Sequence, residues 1–143
     1  MHRVGYVLSH GFQMMALATQ TVFEYANLAA GSPFYSLENF SGTGGGVRSS
    51  LGLSVDTRAL GRGSRADTWV VAGVNDPAES PAEPAVLRFL SRRGLQARRL
   101  AAICTGGFVL AEAGLLAGRR ATTHWAFARD LRTRFADVHV EDD

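Results

Sequence analysis

Lysine is absent from this 143-residue sequence, cysteine occurs once, and proline four times. No apolar run approaches the roughly 20 residues that span a bilayer, because glycine, arginine or aspartate interrupts every stretch. These absences exclude an internal disulfide and a membrane-spanning helix. The apolar run near the N-terminus stops at His10 and Gly11 and is too short for a secretory segment, so a cytoplasmic protein is expected. The basic residues are all arginine, spread from Arg3 to Arg134 without forming a block, and the net charge is only +2. Such a distribution carries no clear nucleic-acid footprint. What is present is ample apolar material, 46% of residues, enough for one domain with a real core.

Val4-Gly5-Tyr6-Val7-Leu8 reads as a buried first strand, followed by Met14, Leu17, Ala18, Thr21, Val22 and Tyr25 at helical spacing until Gly31 and Pro33. A second strand is expected over Phe34 to Phe40. The glycines Gly42 to Gly46 then lead into a hairpin-like excursion with alternating Leu51, Leu53 and Val55. Asp67 to Gly73 is a continuous apolar strand, as in a sheet covered on both faces. The proline-bearing segment from Asn75 to Pro84 is a loop delivering a helix over about Ala85 to Arg93, closed by Gly94. Leu100 to Cys104 is the next strand and Phe108 to Ala113 lies in a helix. A last helix from about Trp125 to Phe135 presents Trp125, Ala128, Leu131 and Phe135, and Val138-His139-Val140 begins another strand. Strands alternating with helices predict an α/β fold with a mostly parallel, doubly wound sheet, whose ligands sit outside the carboxyl ends of strands. His10-Gly11, Gly73-Val74 and Cys104-Thr105 fall at such ends. The sequence stops just after a strand begins and lacks a closing helix, so it reads as a C-terminally incomplete fold, a fragment or a truncated gene product.

The stretch from Leu100 to Leu110 runs an apolar strand into the only cysteine and straight on into a helix. A residue on so abrupt a turn is lifted out of the sheet, and the first free N–H groups of the helix favour its thiolate. This is the logic of a nucleophile elbow, although of the Gly-x-Ser-x-Gly pattern only Gly106 is kept. The plain alternative is a small buried hydrophobe. His124, beyond the next helix, can return to the same rim and exchange a proton with Cys104, or it can simply hydrogen-bond at the start of the Trp125 helix. His2, His10 and His139 have no metal-ligand spacing with either residue, so no metal site is expected, and the sequence implies no cofactor. The glycines at 42–46 are no phosphate cradle, because they lead into a strand and lack a lysine. Arg129, Arg132 and Arg134 do not mark a DNA-reading helix, because the connection before them exceeds a helix-turn-helix turn.

The run Cys104-Thr105-Gly106-Gly107-Phe108-Val109-Leu110-Ala111-Glu112-Ala113-Gly114-Leu115-Leu116-Ala117-Gly118-Arg119-Arg120-Ala121-Thr122-Thr123-His124-Trp125 closely resembles the signature of the ThiJ/PfpI-like, type 1 glutamine amidotransferase-like superfamily. Within it the resemblance is best to the sensor domains of AraC-type transcriptional regulators and to isonitrile hydratase. Segments 46–55 and 66–73 resemble the family's middle strands, so nearly the whole chain is covered. The resemblance implies a flavodoxin-like three-layer sandwich, usually dimeric, with Cys104 and His124 at the site. It implies a small-molecule pocket touching Gly11, Gly73, Val74 and Thr105, and DNA binding only through a helix-turn-helix domain absent from this chain. It also implies an acidic residue after the first strand that manages protons for the cysteine. The register from Gly11-Phe12 places that position at Ala16, and Glu24 lies too far down the helix to replace it. The family's paired glycines have become Gly73-Val74, and His10 stands where regulators carry proline.

Losing a positioned acid–base group removes about 10²–10⁴-fold of rate. A ligand-sensing and dimerisation domain of a transcriptional regulator, without catalysis, is therefore expected. The alternative is a cysteine-dependent enzyme of the isonitrile hydratase or amidase type. There Cys104 attacks an electrophilic carbon, His124 handles a proton, and the N–H of Thr105 with that of Gly73 or Val74 steadies the anion. A redox sensor that oxidises Cys104 is a third reading.

Overall fold

The computed structural model describes residues 1–142. Its centre is a six-stranded sheet of β1 (His2–Val7), β2 (Tyr35–Ser41), β3 (Gly45–Arg48), β4 (Ser54–Ala59), β5 (Thr68–Val71) and β6 (Arg99–Ala102). The strand order is β3-β4-β2-β1-β5-β6, and only the β3–β4 pair is antiparallel. Helix α1 (Met15–Ala30) follows β1, α2 (Pro84–Arg93) links β5 to β6, and α3 (Gly106–Glu112) begins just beyond β6. The chain moves to one side of β1 through β2 and returns to the other side with β5. That reversal makes the carboxyl ends of β1 and β5 the switch point of the sheet, where a ligand crevice forms.

Alternation along the central strands assigns side chains to two cores. On one face, Val7, Phe40, Trp69 and Val71 pack against Val86, Phe89 and Leu90 of α2 and Leu110 of α3. On the other, Val4, Tyr6, Leu8, Val70 and Ala72 pack with Phe12 and with Ala16 of α1. All four residues of β5 are buried, as its unbroken apolar sequence predicts. Pro84 opens α2 at a position whose N–H would be unpaired anyway, and Arg92 and Arg93 close it beside the negative end of the helix dipole.

Three sequence expectations change. The packing face of α1 runs through Ala16 and Phe23, while Val22 and Tyr25 point to solvent at 66% and 68% exposure. The helix expected from Trp125 is a 3₁₀ turn over Trp125–Phe127 followed by α4 (Ala128–Arg134), with Trp125 itself exposed. The cause is local, since the His124 ring caps the turn. The strand expected near residue 138 is β8 (His139–Val140), which does not extend the main sheet. It pairs in parallel with β7 (Arg120–Ala121) in a separate ribbon. Leu131 of α4 holds this C-terminal part to Phe108 and Ala111 of α3, with Val140 against the same cluster.

Gly5 is the tightest point of the sheet. A Cβ there would lie 2.5 Å from Trp69 Cζ3, and that ring is wedged edge-on between Phe40 at 5.0 Å and Phe89 at 4.9 Å. Trp69 is 2% exposed and has nowhere to move. Gly5→Ala is expected to cost about 1–3 kcal/mol by overpacking, read as a lower urea midpoint with an unchanged slope. An unchanged midpoint would show that the aromatic stack is loose.

Candidate functional site

Beyond β6 the chain turns at Cys104, whose φ of 54° makes it the one non-glycine residue with positive φ among those described. Side-chain-bearing residues avoid this region because Cβ crowds the following carbonyl. Here the surroundings impose it. The Ile103 N–H donates to Val71 O at 2.9 Å, the Gly106 N–H returns to Ile103 O at 2.9 Å, and α3 starts at once. A Cβ on Gly106 would strike the Val71 carbonyl, so the first turn of α3 lies directly on the end of β5. Cys104 is half-buried, and its carbonyl accepts the Thr123 hydroxyl at 3.1 Å.

Thr105 is 1% exposed and donates its hydroxyl to Val74 O at 2.6 Å. A Cβ on Gly73 would collide with that hydroxyl and lie 2.9 Å from the Thr105 nitrogen. Only glycine at 73 lets the ends of β5 and β6 meet this closely. Thr105, Gly73 and Val74 are thus one assembly. Gly11, at φ 81°, belongs to its rim: Gln13 N–H donates to Gly73 O at 2.9 Å, and Phe12 bridges both Val74 and Ser49. The β3–β4 hairpin closes the same side, with Gly11 N–H on Arg48 O at 2.8 Å and Arg48 N–H on His10 Nδ1 at 3.3 Å.

His124 reaches the neighbourhood through Thr123, yet its Nδ1 accepts the Ala126 N–H at 3.2 Å and its ring stacks on Trp125 at 5.4 Å. No hydrogen bond joins it to the Cys104 sulfur among the described residues. The position expected to hold an acid, Ala16, is 1% exposed inside the apolar cluster that Ile103 also borders. Beside it the Tyr6 hydroxyl meets Thr19 Oγ1 at 2.8 Å, and Thr19 donates to Ala16 O at 2.7 Å. Burial pushes the Tyr6 hydroxyl pKa up, with Thr19 opposing.

At the carboxyl ends of β1 and β5 lies a cavity of about 190 Å³, lined by Ser9, His10, Ala72, Val74, Thr105, Phe108, Glu112 and the 77–83 segment. Cys104 is not among its lining residues. The loop over the cavity is held by groups that sequence reasoning missed. Glu112 Oε2 accepts the Ala82 N–H at 3.1 Å, and Arg134 donates to Pro77 O at 3.3 Å. Arg134 also lies 3.6 Å from Glu112 and sits over the Phe108 ring at 5.5 Å. The available signal was Glu112 itself, a carboxylate in an otherwise apolar helix. The Gln13 carboxamide oxygen is buried without a hydrogen-bond partner among the described residues.

Comparison with known proteins agrees with this architecture. HTH-type transcriptional regulator GlxA of Rhizobium meliloti is 39% identical over 142 residues, covering 96% of this chain and 43% of that protein. The chain therefore spans less than half the length of that relative. Isonitrile hydratase of Pseudomonas putida is 46% identical over 56 residues, covering 39% of this chain and 24% of the enzyme. The crystal structure of an AraC family transcriptional regulator from Pseudomonas putida superposes with a TM-score of 0.85 at 23% identity, covering 100% of this chain and 77% of that one, which shows a common fold. Residues 35–143 match the DJ-1/PfpI family, and with the elbow at Cys104 in place the chain belongs to that family.

Proposed function

We propose that this chain is the ligand-sensing and dimerisation part of an AraC-type transcriptional regulator, and that it binds a small molecule without turning it over. One observation carries the second half of this reading. The elbow is built, but the side chain at the acid position is the methyl of Ala16, sealed in an apolar cluster. A thiol on a strained turn without a positioned proton carrier is poorly equipped for a catalytic cycle. The cavity beside it offers apolar walls from Phe108, Val109 and Val74 with polar groups from Ser9, His10 and Glu112, the composition that orients a small ligand. DNA contact belongs, in this reading, to a helix-turn-helix domain outside this chain, as the name of the GlxA relative suggests.

The enzyme reading is favoured by the local identity to isonitrile hydratase. Turnover separates the two. The sensor reading predicts that the protein converts isonitriles, aldehydes or amides no faster than its Cys104→Ser variant. It also predicts that a binding compound from a panel of small amines, amides and carboxylates raises Tm, a ligand at 100 times Kd contributing about 2.7 kcal/mol. Turnover that disappears in Cys104→Ser would establish the enzyme instead.

Dimerisation rests on α1. Met15, Val22, Tyr25 and Leu28 are 64–69% exposed, and Glu24 is the only charged residue of the helix. A second copy presenting the same surface would bury an uncharged apolar face against its like. Sedimentation is expected to give a dimer, and Val22→Glu with Tyr25→Glu a folded monomer. A wild-type monomer at micromolar concentration would remove this part of the reading.

A further inference from the structure

The arginines that look scattered along the sequence converge in space. The loop following β4 runs beside α2, and between them lies a groove of about 200 Å³ whose floor includes Leu60 and Phe89. Arg62 stands on the loop side, and Arg88, Arg92 and Arg93 on the helix side. Arg88 and Arg92 are one helical turn apart and therefore project along the same face. Arg93 ties the two walls together by donating to Arg62 O at 3.3 Å, which fixes the width of the groove. None of these four guanidinium groups has a carboxylate within 4.0 Å among the described residues. Among the described residues no carboxylate lines the groove, and Glu83, at the start of α2, lines the separate cavity at the strand ends.

Four unneutralised cations along one groove repel one another, so an anion bound there is favoured. Their forked geometry matches carboxylates and phosphates. Two features choose between anionic occupants. The floor is apolar, so the occupant carries an apolar side chain along with its charges. The groove is also open to solvent between the loop and α2, which fits an extended segment laid across it. A DNA duplex brings phosphates and sugars but keeps its bases stacked inside, so it offers no apolar side chain to the Leu60–Phe89 floor. We propose that this groove is a docking surface for an acidic peptide segment of a partner protein, with one apolar side chain on the Leu60–Phe89 floor and flanking carboxylates on the arginine walls. The surface is separate from the cavity at the strand ends and does not depend on what that cavity binds.

The test is fluorescence anisotropy with a fluorescein-labelled nonapeptide bearing four carboxylates on each side of a central leucine. Binding is expected that weakens with added salt, falls about tenfold or more in Arg88→Glu with Arg92→Glu, and falls severalfold when the central leucine is serine. Arg88 and Arg92 are exposed, and an unchanged Tm confirms that the variant is folded; Arg88→Gln with Arg92→Gln provides a milder version. The proposal is overturned by no binding, by equal binding of the serine peptide, by indifference to both pairs of substitutions, or by a short DNA duplex that binds through these arginines more tightly than the peptide does.

Discussion

Holding a residue with a Cβ at φ 54° costs about 1–2 kcal/mol relative to the ordinary helical region, and the surroundings of Cys104 must supply that energy. They do so through contacts that leave the turn no alternative. Val71 O is engaged by Ile103 N–H while Gly106 lies flat against the same carbonyl, and Thr105 is anchored to Val74 O from a fully buried position. Bare glycine backbone at 73 completes the approach. The elbow is thus a property of the β5–β6 junction as a whole. The cavity walls, the hairpin latch on Gly11 and the loop held by Glu112 are all arranged around it.

On the proposed reading, that arrangement separates two things that a cysteine enzyme needs together. Backbone geometry that exposes a nucleophile depends on glycines and carbonyls, and it persists here. The proton-handling position, on the same reading, falls on α1 at Ala16, whose side chain packs in an apolar cluster. On that reading the domain keeps a shaped cavity and has no group to release a product. The exposed face of α1 and the arginine groove beside α2 lie on opposite layers of the sandwich, so the proposed association with a second copy and the proposed capture of an acidic segment use separate surfaces.

Much of this could be read from the residues, for identifiable reasons. The buried β5 run and the proline-marked loop after it are signalled by local composition, and local composition determines them; the Cys104 turn is signalled by the abrupt handover from strand to helix, while tertiary contacts fix its conformation. The arrangement of Gly73, Val74 and Thr105 followed from their places at adjacent strand ends. The buried face of α1 is not legible in the sequence because apolar residues occur most of the way around that helix, and periodicity cannot say which side meets the sheet. His124 took the role of a local cap because its backbone stands at the start of a 3₁₀ turn with an N–H to satisfy at Ala126. Glu112 with Arg134, and Arg62 with Arg88 and Arg92, are separated in sequence and meet only through tertiary packing, so no spacing rule points to them.

The central claim is that tertiary contacts force Cys104 into a left-handed conformation, and comparing the stabilities of Cys104→Gly and Cys104→Ala in urea tests it most directly. Both substitutions remove the sulfur, but only glycine is free of the Cβ penalty. The account predicts that Cys104→Gly is the more stable of the two by about 1 kcal/mol. A glycine variant less stable than the alanine variant by a similar amount, as at an ordinary backbone position, would contradict it.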